Sequence, residues 1–146
     1  MTTHSSMNPT QFAEQIEVLR HLIEEQSKRP GCQFLINRSN RTDRQATKKF
    51  HAYMSQVFNH RERDRRIHVL SIMLGRTLKT TNALTLGEVF GFLSWLEYNG
   101  IALDTLTWAK ENTKNARNAV IHLDGSQPEE APPYVEDTAE AYSPLF

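Results

Sequence analysis

The sequence predicts an all-α fold: a compact bundle of four or five helices followed by a disordered acidic tail. Apolar residues recur at the three- and four-residue spacing of a helix face, and Asn, Thr, Pro and Gly stand where those segments begin and end. A short apolar run at 34–36 is the exception. We expect it to pack on the bundle as part of a connector. The alternative is a lone strand, but no partner run is visible in the sequence.

The first two helices are predicted to flank this connector. Asn8 can cap the first helix and Gln11 can reach back to it, and the helix is expected to end at Pro30. The second helix is predicted over about 41–58. It has one apolar face, and the opposite face carries cations and His51.

Cap signals mark the remaining helices. The third helix is apolar around most of its circumference and ends at Gly75, so we expect it to be the central, buried element. Thr85 and Glu88 match a capping box at the start of the fourth helix. Asp104 is predicted to cap a fifth helix that runs to about His122.

These elements divide the chain into a flexible N-terminus (1–8), a helical domain (9–123) and an acidic disordered tail (124–146). The tail is rich in Gly, Ser, Pro and acids, which cannot bury enough apolar area to offset the entropy of ordering. Cys32 is the only cysteine, so no intramolecular disulfide can form. No apolar run approaches the roughly 20 residues of a membrane helix, and the first residues lack a signal-peptide layout. We therefore expect a cytoplasmic protein.

The formal net charge of zero hides a strong segregation of charge. Residues 36–80 hold eleven Lys or Arg against three acids, a net charge of +8, whereas residues 123–146 hold six acids and no base. Such segregation predicts a surface that faces a polyanion, and an acidic tail that competes with that polyanion.

Arginines cluster between Arg61 and Arg66, at the start of the third helix, where the helix dipole disfavours cations. With the cationic face of the second helix they would form one phosphate-binding surface, which binds the backbone without reading sequence. The candidate nucleic-acid-binding residues are Arg41, Arg44, Lys48, Lys49, Arg61, Arg63, Arg65, Arg66, Arg76 and Lys79. The alternative is a solvated face, partly neutralised by Glu62 and Asp64.

Motifs for a metal, a nucleophile or a phosphate loop are absent from the sequence. There is no paired Cys, no His-x-x-x-His and no Gly-rich loop between a strand and a helix. Cys32 has no neighbouring base to activate it, so we expect its thiol to be inert. We expect neither a metal nor a cofactor.

Residues 67–96 resemble a short helix–loop–helix of phage and mobile-element proteins of DNA recombination and replication. The shared features are an apolar helix ending in Gly75-Arg76, a polar loop over 77–82, and Leu-Thr-x-x-Glu at 84–88 opening a second apolar helix. The resemblance implies a DNA-handling accessory role and names no catalytic residue.

The segment Arg-Asn-Ala-Val-Ile-His at 117–122 is similar to the Arg-Asn-x-x-x-His motif of the HEPN ribonucleases, which are all-helical dimers that cleave RNA without metal. The resemblance implies that His122 transfers a proton at the ribose and that Arg117 stabilises the charged phosphorane. The alternative is structural: Arg117 is a cation near a helix C-terminus, where the dipole favours it, and His122 is a solvated terminal residue.

The predicted function is that of a non-enzymatic, nucleic-acid-binding accessory subunit of phage, mobile-element or antiviral defence machinery. Its partners would be a DNA or RNA backbone and a larger protein complex or a second copy of the chain. Two other functions stay open. One is a HEPN-like ribonuclease, and the other is a helical scaffold whose exposed Phe and Trp side chains dock a partner.

Overall fold

Six helices make up the fold in the computed structural model, which describes residues 7–125. They are α1 (Pro9–Ser27), α2 (Arg41–Met54), α3 (Arg63–Leu74), α4 (Leu86–Tyr98), α5 (Ala102–Glu111) and α6 (Thr113–Leu123). Single 3₁₀ turns at His60–Glu62 and Thr81–Ala83 precede α3 and α4. The predicted all-α class is confirmed. The predicted flexible N-terminus (1–8) lies outside the described residues except for Met7 and Asn8, and the predicted disordered tail (124–146) lies outside them except for Asp124 and Gly125.

The predicted cap at the start of α1 is confirmed at the level of hydrogen bonds. The Gln11 amide N–H donates to Asn8 Oδ1, and the Asn8 amide donates to Gln11 Oε1, both at 2.9 Å. Thr85 and Glu88 form the same reciprocal pair at the start of α4, with distances of 2.8 and 3.1 Å. Gly75 ends α3 in the left-handed conformation at φ 74°, which favours glycine.

The predicted fifth helix is wrong as one element, because it is broken at Asn112 into α5 and α6. Asn112 leaves helical geometry at φ −130° and ψ 48°, and its side-chain amide donates to the Trp108 carbonyl at 3.0 Å. Asn and Thr side chains that bond nearby backbone groups compete with helix continuation. The Thr113 hydroxyl likewise donates to the Ala109 carbonyl at 3.2 Å. The bundle therefore has six helices rather than four or five.

The centre of the bundle is the pair α1 and α4, and not α3 as the sequence suggested. Gly91 makes this possible, because a Cβ atom there would lie 2.4 Å from Ile23 Cγ1 and 2.7 Å from Ile23 Cα. A Cβ at Gly87, one turn earlier, would lie 2.9 Å from Ser27 Cα. The two backbones thus touch along one face. α3 instead leaves one side open to a groove that it forms with α6.

The apolar run at 34–36 packs on the bundle through only one of its three side chains. Ile36 is buried, while Phe34 is 71% and Leu35 is 59% exposed. The Ile36 amide donates to the Leu84 carbonyl, and the Leu86 amide donates to the Phe34 carbonyl, both at 3.0 Å. The run therefore pairs over a single antiparallel bridge with the segment that leads into α4.

The end of α6 is held against two other helices. Asp124, which the sequence places in the tail, forms an ion pair with Arg20 of α1. The Arg20 guanidinium also donates to the Met73 carbonyl of α3, at 3.2 Å. No helix within residues 7–125 combines the length and the apolar character needed to cross a membrane.

Candidate nucleic-acid interface

The outward face of α2 carries the cationic stripe that the helical period predicts. Ala46, Phe50 and Met54 bury the opposite face in the core, so Arg41, Arg44 and Lys48 point to solvent. Together with Arg38 and Gln45 they line a surface depression of about 460 Å³. Within residues 7–125, no acidic side chain forms an ion pair with any of its four cations.

The one acid on α2 is turned away from this stripe. Asp43 is buried, and its carboxylate accepts the Asn37 amide N–H at 2.8 Å. On the outer side, Arg44 Nη1 donates to the Arg38 carbonyl at 3.1 Å, which positions the Arg44 guanidinium over the connector. The stripe therefore keeps its positive charge. We name the surface formed by Arg38, Arg41, Arg44, Gln45 and Lys48 the α2 basic face.

The arginine cluster stands at the start of α3, as predicted. Arg61, Arg63 and Arg65 are exposed, and Arg66 is half-buried. Arg66 Nε is buried without a hydrogen-bond partner among residues 7–125. A buried donor in that state costs free energy unless a ligand or water satisfies it.

Glu62 neutralises this cluster less than the sequence suggests. Its carboxylate accepts Lys110 Nζ of α5 at 2.8 Å, whereas Arg65 Nη1 lies 3.9 Å away. The hydrogen bonds from Lys110 and from the Asn59 amide lower the Glu62 pKa. Asp64 pairs with Arg63 at 3.6 Å, but its side chain is 98% exposed, so that pair contributes little.

His51 is influenced electrostatically by one cation of the α2 basic face and by one of the arginine cluster. Its imidazole is half-buried on α2, and its pKa is lowered by burial, then by the positive charge of Arg66, then by that of Arg38. Arg66 comes from α3 and Arg38 from the connector, so both act on the same side chain from different segments. Arg66 of the arginine cluster and Arg38 of the α2 basic face therefore both lie within electrostatic range of His51.

The lowered pKa values of His51 and His68 predict a loss of stability as the pH falls. The ordinary pKa of a histidine is 6.5, and both imidazoles have a lower pKa in the folded chain. As the pH falls, they therefore become protonated in the unfolded chain at a higher pH than in the folded chain. The unfolded state then binds more protons, so the free energy of unfolding should decrease from about pH 7.5 to about pH 5.5 in urea denaturation. The decrease should be smaller in His51→Gln/His68→Gln. It should persist in His21→Gln, an exposed control; an equal decrease in all three proteins would refute the assignment.

Three of the predicted binding residues belong neither to the α2 basic face nor to the arginine cluster. Lys49 Nζ pairs with Glu97 of α4 at 2.9 Å, and that hydrogen bond raises the Lys49 pKa. Arg76 Nε donates to Glu88 at 3.1 Å and its Nη2 donates to the Ala83 carbonyl. Lys79 lines the groove between α3 and α6. Lys49 and Arg76 thus serve contacts between elements, and a phosphate would have to compete with those contacts.

Only one of the two residues of the ribonuclease motif lines the groove between α3 and α6. Arg117 lines it, and so does His68, whose pKa is lowered by burial and then by Arg117. His122 is exposed near the end of α6 and does not line the groove. The structure thus brings Arg117 together with His68, a residue that sequence reasoning did not select.

Comparison with known proteins finds no relative. No protein-family model, no curated protein and no solved structure matches the chain. Among residues 7–125 there is also no group of three or more His, Cys, Asp or Glu side chains placed to hold a metal ion.

Proposed function

We propose that this chain binds the phosphate backbone of a nucleic acid as a non-enzymatic accessory subunit, through the α2 basic face and the adjoining arginine cluster. The observation that supports the proposal is the depression on α2, which four cations line without an acidic partner in the described part of the chain. Phage, mobile-element or antiviral defence machinery, and a cytoplasmic location, belong to the same proposal and rest on the sequence alone.

The spacing of the cations suits a polyanion better than a single small anion. Arg41 and Lys48 are seven residues apart on α2, which corresponds to about 10 Å along the helix axis. A nucleic-acid duplex presents one negative charge per roughly 1.7 Å of its axis, so the stripe would face several phosphates at once. Contacts of this kind fix position and carry no sequence information, so we expect similar affinity for unrelated sequences.

The scaffold alternative loses part of its basis in the structure. Both tryptophans are buried, Trp95 at 0% and Trp108 at 7% exposure, so neither can dock a partner. Phe34 and its neighbour Leu35 are exposed, but two connector side chains are a narrow basis for a docking surface.

Incubation with labelled RNA and DNA, scored for both mobility shift and cleavage, tests the proposal against the ribonuclease alternative. We expect a shift without cleavage, because His122 lies outside the groove that holds Arg117 and a proton-transfer group must reach the bond it acts on. Absence of any shift at low salt would refute the binding proposal. Metal-independent RNA cleavage that is lost in His122→Ala would support the ribonuclease instead.

A further inference from the structure

The groove between α3 and α6 has an apolar floor, in which Ile121 is the most exposed of the apolar side chains. Its volume is about 920 Å³, near the upper end of the ~300–1,000 Å³ typical of ligand pockets. The apolar side chains that line it are Ile67, Ile72, Leu78, Val120 and Ile121. An apolar floor favours an occupant with apolar side chains, since covering it removes apolar surface from water.

The rim of the groove is positively charged. Lys79 and Arg117 line it, and neither forms an ion pair with an acid of residues 7–125. Of its other charged side chains, Arg76 pairs with Glu88 and Asp124 pairs with Arg20. Asp64 is almost fully exposed and its pair with Arg63 contributes little, so the groove keeps two uncompensated cations against one acid. The occupant that matches both features is therefore acidic as well as apolar.

The polypeptide itself leaves the described fold at the edge of this groove. Asp124 lines the groove, and Gly125 follows it with φ 84°. Residues 126–146 carry five acids and no base. Their aromatic side chains are Tyr134, Tyr142 and Phe146. We propose that residues 126–146 bind in the groove between α3 and α6 as an acidic, aromatic peptide supplied by the same chain.

The segment from Gly125 to Tyr134 is long enough to span the groove, and short enough to keep the aromatic residues close to it. Nine residues lead from Gly125 to Tyr134, which span at most about 30 Å. α3 has 12 residues and is therefore about 18 Å long, so the acidic segment can reach any point of the groove. A tether of this length holds the segment at an effective concentration in the ~mM range, at which a few weak contacts are sufficient.

The bound segment would lie on a surface separate from the α2 basic face. The bound segment would cover Lys79 and Arg117, and it would leave Arg41, Arg44 and Lys48 free. The inference therefore does not rest on nucleic-acid binding, and its test uses no nucleic acid.

Paramagnetic broadening in the full chain tests the contact. A nitroxide is attached at Ser143→Cys, and the unsubstituted chain, whose Cys32 is buried, goes through the same labelling as a blank. We expect amide signals of Gly75, Lys79 and Ile121 to lose intensity, while those of the exposed connector residues 33–35 keep theirs. In Lys79→Glu/Arg117→Glu the selective loss should disappear. In Lys114→Glu, an exposed residue of α6 outside the groove, it should remain.

A charge swap separates a specific contact from a general effect of the substitutions. Glu136→Lys/Asp137→Lys in the Lys79→Glu/Arg117→Glu background should restore the selective loss. The inference is overturned if the groove signals are not selectively broadened in the labelled chain, or if the charge reversal leaves them broadened. A mixture of an isotope-labelled chain without nitroxide and an unlabelled chain with nitroxide measures contact between copies. If the groove signals are broadened to the same extent in that mixture, the occupant is a second copy and the inference is also overturned.

Discussion

Substitution of Arg41, Arg44 and Lys48 by Gln is expected to lower the affinity for DNA and RNA by about a hundredfold at moderate salt, or roughly 3 kcal/mol. These residues line one depression, and no acid among residues 7–125 pairs with them, so each is free to neutralise a phosphate. The loss should be similar for unrelated sequences, because contacts to the backbone read no bases. Fluorescence anisotropy with two labelled duplexes and one labelled single strand measures it.

A matched control separates local contacts from net charge. Lys28→Gln/Arg29→Gln/Lys114→Gln removes three exposed positive charges that do not line the depression. Its affinity should stay within a few-fold of the wild type, because exposed charges at longer range are screened by salt. Equal losses in both triple variants, with unchanged thermal unfolding, would mean that the α2 basic face is not the binding surface.

Gly91→Val is expected to destabilise the fold by about 3 kcal/mol or more, and Gly91→Ala by somewhat less. A Cβ at this position would lie 2.7 Å from Ile23 Cα and 2.9 Å from Ile23 N, so α1 as a whole would have to move away from α4. Helix propensity alone predicts the opposite sign, because Ala is favoured over Gly by about 1 kcal/mol within a helix. Urea denaturation monitored by circular dichroism measures the change.

Gly100→Ala is the control for this substitution. A Cβ at Gly100 would meet nothing within 4 Å, and its backbone does not adopt a positive φ, so the free energy of unfolding should change little. A Gly91→Ala variant as stable as the wild type would show that α1 and α4 do not pack as closely as described.

Features that depend on neighbours in sequence could be predicted well from the residues. The reciprocal caps at Asn8 and Thr85 and the left-handed Gly75 follow from local chemistry, and the structure contains all three. The stripe on α2 likewise follows from a period of 3.6 residues. The break at Asn112 was missed, because its cause is one side-chain bond to Trp108 within an otherwise periodic run.

Features that depend on contacts between distant segments could not be predicted. Lys110 pairs with Glu62 from 48 residues away, and Glu97 of α4 pairs with Lys49 of α2. Neither pairing leaves a signal in local sequence, yet each changes which cations stay free. The same holds for His51, whose pKa is lowered by burial and by the charges of Arg66 and Arg38, which come from other segments of the chain.

The salt dependence of wild-type binding is the most direct test of the proposed electrostatic interface. If the four cations of the α2 basic face each neutralise one phosphate, they alone should give a linear fall of log K with log salt with a slope of about −4 on duplex DNA, and contacts of the arginine cluster should make the slope steeper. The slope should become shallower by about 3 in Arg41→Gln/Arg44→Gln/Lys48→Gln. Binding of equal affinity at low and high salt would contradict a phosphate-backbone interface on this protein.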